Sequence, residues 1–332
     1  MKTVTELEAY FNSDLAPSVE KVERKRKSII TKLVVVAILT VVFCAAATFV
    51  WSHFNQEIET GVPIGWLILG YLIFIVGGAV LWLEISRNKG FYYDFKTLII
   101  EQVMQTIHPS FRYKAHKFIP IQQFVESHLF ETLPNKKYEG DDYVQGQLDN
   151  GAKLEFSEIV AHYRKRDIPE DEKTKKKAEK VMFKGLFFVA ETNLKHKGHT
   201  VITPRKVDLR KAKFRDNVKL DVMHNPPPDF QGIFHVFTDN QDAAKELFNP
   251  QLVQRLVRFQ QAHDGNFMVS FIRKKLYVGI THEKDLFEPN LWKTLKDFDA
   301  IRDYFKDLRQ AVTILENIQA QEENEKKSQL AS

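Results

Sequence analysis

Two apolar runs near the start of this chain constrain its fold more than any other feature of its 332 residues. The first, Leu33 to Trp51, reads LVVVAILTVVFCAAATFVW, and the second, Val62 to Leu83, reads VPIGWLILGYLIFIVGGAVLWL. Neither contains Asp, Glu, Lys, Arg or His. A helix rises ~1.5 Å per residue and a bilayer's hydrocarbon core is ~30 Å thick, so about 20 residues cross it. Both runs have that length, which predicts a transmembrane helical hairpin over 33–51 and 62–83. Ionisable residues inside a membrane mark ion and proton paths. Their absence, with only two spans, argues against a pump or transporter acting alone.

The flanking charges predict the orientation. Lys21, Arg24, Lys25, Arg26, Lys27 and Lys32 precede the first run, and Arg87 and Lys89 follow the second. The connecting loop, Ser52 to Gly61, has Glu57 and Glu59 but no Lys or Arg. The positive-inside rule then puts both termini in the cytosol. Those eight basic residues form a candidate membrane-surface set, because a cation beside anionic headgroups gains ~1 kcal/mol. Trp51, Trp66 and Trp82 stand near run ends, where indoles favour the headgroup region. Ala45-Ala46-Ala47 resembles a signal-peptide cleavage site, but about 30 residues with several acidic side chains precede it, against the pattern of a cleaved leader. Small side chains at Thr40, Cys44 and Thr48, and at Gly70 and Gly77, lie on single helix faces. We read them as packing the hairpin on itself in preference to a dimer face.

The chain divides into a basic leader (1–32), the hairpin (33–83), an α+β domain (84–320) and a polar, disordered tail (321–332). About 250 residues follow the hairpin, enough for a domain with a real core. The single cysteine, Cys44, lies within the first run. A disulfide, a thiolate zinc site or a thiol nucleophile in the soluble part is thereby excluded. A formal net charge of +5 is modest for a nucleic-acid binder, and much of the basic excess lies beside the membrane. No nucleic-acid partner is expected.

Hydrophobic period gives the elements. Phe95 to Ile107 and Ile119 to Phe130 read as amphipathic helices, with Phe124 and Leu129 in the core. Asn135 to Asp142 reads as a loop. Tyr143 to Leu148 and Ala152 to Tyr163 flank Asp149-Asn150-Gly151, a hairpin signal. Arg164 to Lys180 has eight basic and five acidic residues, which predicts a solvated loop. Val181 to Glu191 is a strongly apolar strand; Thr200 to Thr203, Val218 to Met223 and Ile233 to Phe237 are further strand candidates. Asn240 to Phe248 and Gln251 to Ala262 read as helices, and Phe267 to Ile272 with Leu276 to Ile280 as another hairpin. Ile301, Phe305, Leu308, Val312 and Leu315 form one face of a last helix, capped by Asp297. The fold class is α+β with a mainly antiparallel sheet and a C-terminal helix, and a pleckstrin-homology-like barrel is an alternative form of it.

Motifs for chemistry are missing. Neither the P-loop nor GxGxxG occurs, nor GxSxG, nor HExxH, so no cofactor is expected. His196 and His199 lie in a lysine-rich loop with no nearby carboxylate or thiol to complete a zinc site. Glu139, Asp141 and Asp142 are read as turn formers beside Gly140 before they are read as metal ligands. Phe183, Phe187, Phe188, Phe234 and Phe237 are read as core. With no catalytic or metal set, the leading reading is a binding or scaffolding domain anchored at the membrane. The rivals are a tethered hydrolase with a dispersed site (Glu139, Asp142, His162) and a sensor of anionic lipid.

One set of blocks is more specific. Tyr138-Glu139-Gly140-Asp141-Asp142-Tyr143-Val144-x-Gly146, then Phe156-Ser157-Glu158, then Phe183-Lys184-Gly185-Leu186-Phe187-Phe188-Val189-Ala190, resemble bacterial proteins grouped as "domain of unknown function 3137". Phe234 to Phe237, Asp242-Ala243-Ala244 and the stretch from Pro250 are similar too, so the resemblance runs over roughly Phe91 to Gln319. It implies paired N-terminal membrane helices, a bacterial envelope setting, which with the predicted orientation we read as the inner membrane, and a LemA-like membrane protein as partner; a homo-oligomer is compatible with it. It implies no activity and no catalytic residue.

Overall fold

The computed structural model describes residues 3–57, 63–130, 137–149, 151–164, 179–191, 196–210, 218–262, 267–282 and 285–299, with single positions at 212, 214 and between 301 and 312. The 165–178 part of the charged stretch, Leu315 and the tail lie outside these. The chain forms two compact units.

The first unit comprises Met1 to Leu7, Glu101 to Phe287 and Ile301 to Ser332, and its described residues are built on a nine-stranded sheet. Its strands are β1 (Arg112–Lys114), β2 (Tyr138–Gln147), β3 (Lys153–Arg164), β4 (Glu179–Glu191), β5 (His199–Pro204), β6 (Asp221–Val222), β7 (Phe234–Thr238), β8 (Phe267–Ile272) and β9 (Lys275–Thr281). They run in the order β1-β2-β3-β4-β9-β8-β5-β7-β6, every pairing antiparallel. Among the described residues the sheet has two separate edges, β1 and β6, so it is open and does not close into a barrel.

The β2–β3 hairpin turns where the Asp149-Asn150-Gly151 signal puts it. Gly151 has φ +83°, its N–H donates to the Leu148 carbonyl, and the Leu148 N–H donates to that of Ala152. Asparagine-glycine turns supply the positive φ that such a reversal needs. In the middle of the sheet, β4 has apolar residues on both faces. Phe187 faces the cluster of Phe183, Val189, Tyr277, Phe124 and Ile119, and Phe188 faces Phe156 across the strand pair. Burial on both sides removes the usual alternation, which is why Val181 to Glu191 reads as a continuous apolar run. Full burial of one such phenylalanine is worth about 1.5–3 kcal/mol. Gly185, at φ +151°, lies where a Cβ would stand 2.0 Å from the Ile280 carbonyl oxygen. Only glycine fits there.

Helices border the sheet in sequence. Among them, α5 (Glu101–Ile107) buries Val103, Met104 and Ile107, and α6 (Ile121–Glu126) buries Phe124. After β7, α7 (Gln241–Leu247) is capped by Asn240, whose side chain accepts from the Ala243 N–H at 3.1 Å. Pro250 opens α8 (Pro250–Ala262), where its missing N–H leaves no orphan donor. Phe259 of α8 packs its ring 4.4 Å from that of Phe267. Ile301, Phe305, Leu308 and Val312 are helical and buried, as their spacing predicts. The Asp297 carboxylate accepts from the Asp299 N–H at 3.0 Å, in keeping with its capping role.

The second unit comprises Glu8 to Ile100 and Glu288 to Ala300. Here α2 (Ala16–Glu57) and α3 (Ile64–Ser86) carry the two apolar runs, and both are long and apolar enough to cross a membrane. Their apolar side chains stand exposed along the runs, Phe49 at 73% and Trp66 at 68% among them. The two helices meet through small and hydroxyl groups. Gly78 admits Thr40, whose Oγ1 would lie 2.8 Å from an added Cβ, and the Tyr71 hydroxyl bonds to Thr48 and to the Cys44 carbonyl. The Thr40–Cys44–Thr48 face is therefore the hairpin's own seam. Gly70 and Gly77, expected on it, instead have open space around them.

Below the runs, α4 (Lys89–Phe95) is capped by Asn88 and passes into a π turn at Lys96–Ile100. Residues 288–300 lie along the base of this unit. Buried Lys96 pairs with Glu288 at 2.8 Å. Buried Glu23 and Arg26 form a two-pronged ion pair, 2.7 and 2.8 Å. The Arg26 guanidinium also donates to the Leu291 carbonyl at 2.9 Å, while Glu23 accepts from the Leu295 N–H at 3.1 Å. Lys296 meets Glu20 at 2.6 Å, and Phe298 packs 5.5 Å from Phe11 of α1 (Val4–Asn12).

Candidate functional site

The residues between Asn135 and Asp142 that read as a loop are largely strand. From Tyr138, β2 pairs with β3, Asp141 lying opposite Glu158. A bulge then interrupts the ladder between Asp141 and Val144, and Asp142 takes φ +56°. Bulges re-aim side chains. This one turns Asp142 inward, where it is 1% exposed and accepts from the Tyr113 hydroxyl. The freed backbone groups go to the β1–α6 connection: the Asp142 N–H donates to the Ala115 carbonyl, and that of Tyr143 to Lys117. Glycine and acid in sequence mimic a turn, and a strand bulge uses the same residue types.

Asp141, Asp142 and Glu158 bring one carboxylate oxygen each within 4.8 Å of one another. Glu158 is 4% exposed. Its Oε2 accepts from the Leu286 N–H at 3.0 Å, and its Oε1 is buried without a hydrogen-bond partner. Burial pushes its carboxyl up to about 7, the Leu286 N–H partly opposing and the charges of Asp141 and Asp285 adding to it. Lys184, one residue before Gly185, lies on the same face of the sheet and pairs with Asp285 at 2.7 Å. Such a trio has two chemical capacities. It can retain a proton near neutral pH, since closely placed carboxylates do not all ionise. It can also hold a hard divalent cation through oxygen ligands.

Of the dispersed set Glu139, Asp142 and His162, only Asp142 belongs to this cluster. Glu139 is exposed and pairs across the strand with Val160. His162 lies four residues along β3 from Glu158, a separation of roughly 13 Å at 3.3 Å per residue. Glu158 itself was missed in the sequence, where it reads as one more alternating strand residue. The signal available was a carboxylate on a strand whose neighbours, Phe156 and Ile159, are both core residues. His196 bonds to the Thr200 hydroxyl at 3.0 Å, and burial lowers its affinity for a proton. It braces the start of β5 and completes no metal set among the described residues.

A second concave feature is a groove of about 860 Å³ beside the Pro226-Pro227-Pro228 run. Phe230, Phe234, Phe248 and Val253 give it apolar walls, and Arg205 and Lys245 add positive charge. Its size falls in the range of small-molecule and peptide pockets.

The eight basic residues flanking the hairpin divide by role. Lys21, Arg24, Lys27, Lys32, Arg87 and Lys89 are exposed. Lys25 pairs with Asp94. Arg26 is buried on Glu23, as described above. Burial disfavours the Glu23 charge, but the Arg26 guanidinium and the Leu295 N–H outweigh it and hold the carboxyl below its ordinary value. Composition cannot separate a basic side chain facing lipid from one that ties down a distant segment.

A family model described as "Protein of unknown function (DUF3137)" matches residues 181–320, starting at the FKGLFF strand. No curated protein matches the chain. Among solved structures, the chain is similar to the crystal structure of the mycobacterial trehalose monomycolate transport factor A, TtfA, at 12% identity. The TM-score is 0.34, with 65% of this chain and 92% of that one covered. Over residues 181–320 the chain resembles the DUF3137 family, as the FKGLFF block suggested.

Proposed function

We propose that this chain is an integral protein of a bacterial inner membrane, with both termini cytosolic, that presents its sheet domain as a binding or scaffolding module. The observation that carries the reading is the contrast in burial. The sheet domain encloses its phenylalanines, while α2 and α3 leave theirs bare over two lengths that match a bilayer. A soluble protein seldom exposes a contiguous apolar surface of this extent, and in lipid a helix satisfies its own backbone groups. Tethering raises a module's effective concentration toward other membrane proteins, and a LemA-like membrane protein is the partner the family resemblance suggests. The groove beside Pro226–Pro228 supplies a recess for such a module. The test is twofold. Carbonate-washed membranes are expected to retain the protein, and a reporter fused behind Ser332 is expected to act in the cytosol. Release into a high-speed supernatant, or reporter activity on the outer side, overturns the reading. Crosslinking in native membranes then tests the scaffold, which fails if no membrane protein is enriched.

A further inference from the structure

The 288–300 segment is remote in sequence from the hairpin yet fastened to its base at Lys96, Arg26, Glu23, Glu20 and Phe11. Within it, Leu291, Leu295 and Phe298 are buried. Trp292 is not: its indole is 60% exposed and stacks on Trp82, with centroids 6.1 Å apart and planes 23° from parallel. Trp82 is the last residue but one of the second apolar run, and exposed Leu81 and Leu83 flank it. Exposed Arg87 and Lys89 follow within two turns. Trp82 therefore marks the level at which apolar surface gives way to charge.

From this geometry we infer that residues 288–300 form a strap on the membrane surface, with Trp292 lodged in the headgroup region of the bilayer beside Trp82. The inference rests on the hairpin spanning the membrane. Four observations favour lipid as the occupant. The exposed indole is continuous with the bare apolar band of α3. Its neighbours Leu291 and Leu295 turn the other way, so the outward aim of Trp292 is not a general loosening of the segment. An indole combines an apolar body with one N–H donor and is most stable where hydrocarbon meets headgroups. Exposed Lys293 adjoins it, a cation suited to lipid phosphate. Five anchors also fix the segment before any lipid arrives, so little ordering remains to be done on contact.

The test uses the full chain in vesicles of phosphatidylcholine and phosphatidylglycerol, with nitroxide-labelled lipids as quenchers. The protein has four tryptophans: Trp51, Trp66, Trp82 and Trp292. A variant with W51F, W66F and W82F leaves Trp292 as the sole emitter, and one with W51F, W82F and W292F leaves Trp66 to report on the hairpin. The strap predicts blue-shifted Trp292 emission, quenched more by a nitroxide near the headgroup than by one deep in the acyl chain. If Trp66 is quenched while Trp292 emits as in water, the strap is overturned and the hairpin stands. Blue-shifted Trp292 emission that no lipid nitroxide quenches places a second copy of the chain over the indole and overturns the strap as well. If neither tryptophan is quenched, the spanning reading fails and takes the strap with it. Should the triple variants not fold, single W292F is compared with wild type. The strap then requires a measurable loss of shallow quenching with deep quenching unchanged; no loss refutes it.

Discussion

Glu158 shows how one side chain can link a fold to pH. Its carboxyl is raised from 4.5 to about 7 by burial, so the folded state binds a proton that the unfolded chain has already released over that interval. Stability is then fullest below pH 4.5 and declines as pH rises toward 7. At ~1.4 kcal/mol per pKa unit, the decline from this residue is on the order of 3 kcal/mol. Glu158→Gln removes the charge and keeps the Leu286 N–H acceptor. Thermal unfolding in detergent is expected to show a higher Tm than wild type at pH 8 and little difference at pH 5. A divalent cation in the cluster opposes this, since it favours the ionised carboxylate; Mg²⁺ or Mn²⁺ raising the wild-type Tm at pH 8, but not that of Glu158→Gln, would identify such binding. Gly185 gives a residue-scale prediction free of charge. A Cβ there meets the Ile280 carbonyl, so Gly185→Ala is expected to lower stability by about 3 kcal/mol or more. A Tm within a degree of wild type would contradict the backbone geometry of the β4–β9 pair.

Among the elements, the Glu23–Arg26 pair is the most informative. Removing one partner of a buried ion pair strands the other charge, at a typical cost of 3–5 kcal/mol. Glu23→Ala and Arg26→Ala are each expected to loosen residues 288–300 and speed tryptic cleavage at Lys293 and Lys296. Replacing both by apolar residues of similar size is expected to slow cleavage again, because no unpaired charge remains. Cleavage at the wild-type rate in both single variants would show that the pair does not hold the segment. These elements also mark what could be read in the letters. Ile301 to Val312 announces itself because burial of one face is written as spacing, and Val181 to Glu191 because burial of both faces leaves an unbroken apolar run. Asp149-Asn150-Gly151 does so because few residues accept a positive φ. The β2 bulge was illegible, since Gly140, Asp141 and Asp142 are equally the residues of a turn. The role of Arg26 was illegible for a different reason: its partner carbonyl belongs to Leu291, 265 residues away, and no local pattern encodes that distance.

Among the described residues, α2 and α3 carry a long exposed apolar surface, and the thiol of Cys44 lies half-buried at their seam, midway along it. If lipid covers that surface, Cys44 is shielded from both aqueous sides. In sealed vesicles a membrane-impermeant maleimide is expected to leave Cys44 unmodified from either face. In a Cys44→Ala background, Ser52→Cys is expected to react only from outside and Lys89→Cys only from the cytosolic side. Reaction of both from one side would rule out the hairpin topology. The open sheet with β1 and β6 as edges has a further bearing on association. Unpaired strand edges invite pairing with another chain, and these two are short, three and two residues, which limits such pairing.

The bond between Arg26 and Leu291 also sets an order of events during synthesis. A ribosome adding roughly 5–20 residues per second takes about 13–50 s to travel from one to the other. Throughout that interval the anchor is already emerging, while its buried guanidinium still waits for the carbonyl that completes its shell. A chain ended before residue 288 would keep the Glu23–Arg26 ion pair, whose partners are three residues apart, but would leave the Arg26 guanidinium without the Leu291 carbonyl and Glu23 without the Leu295 N–H.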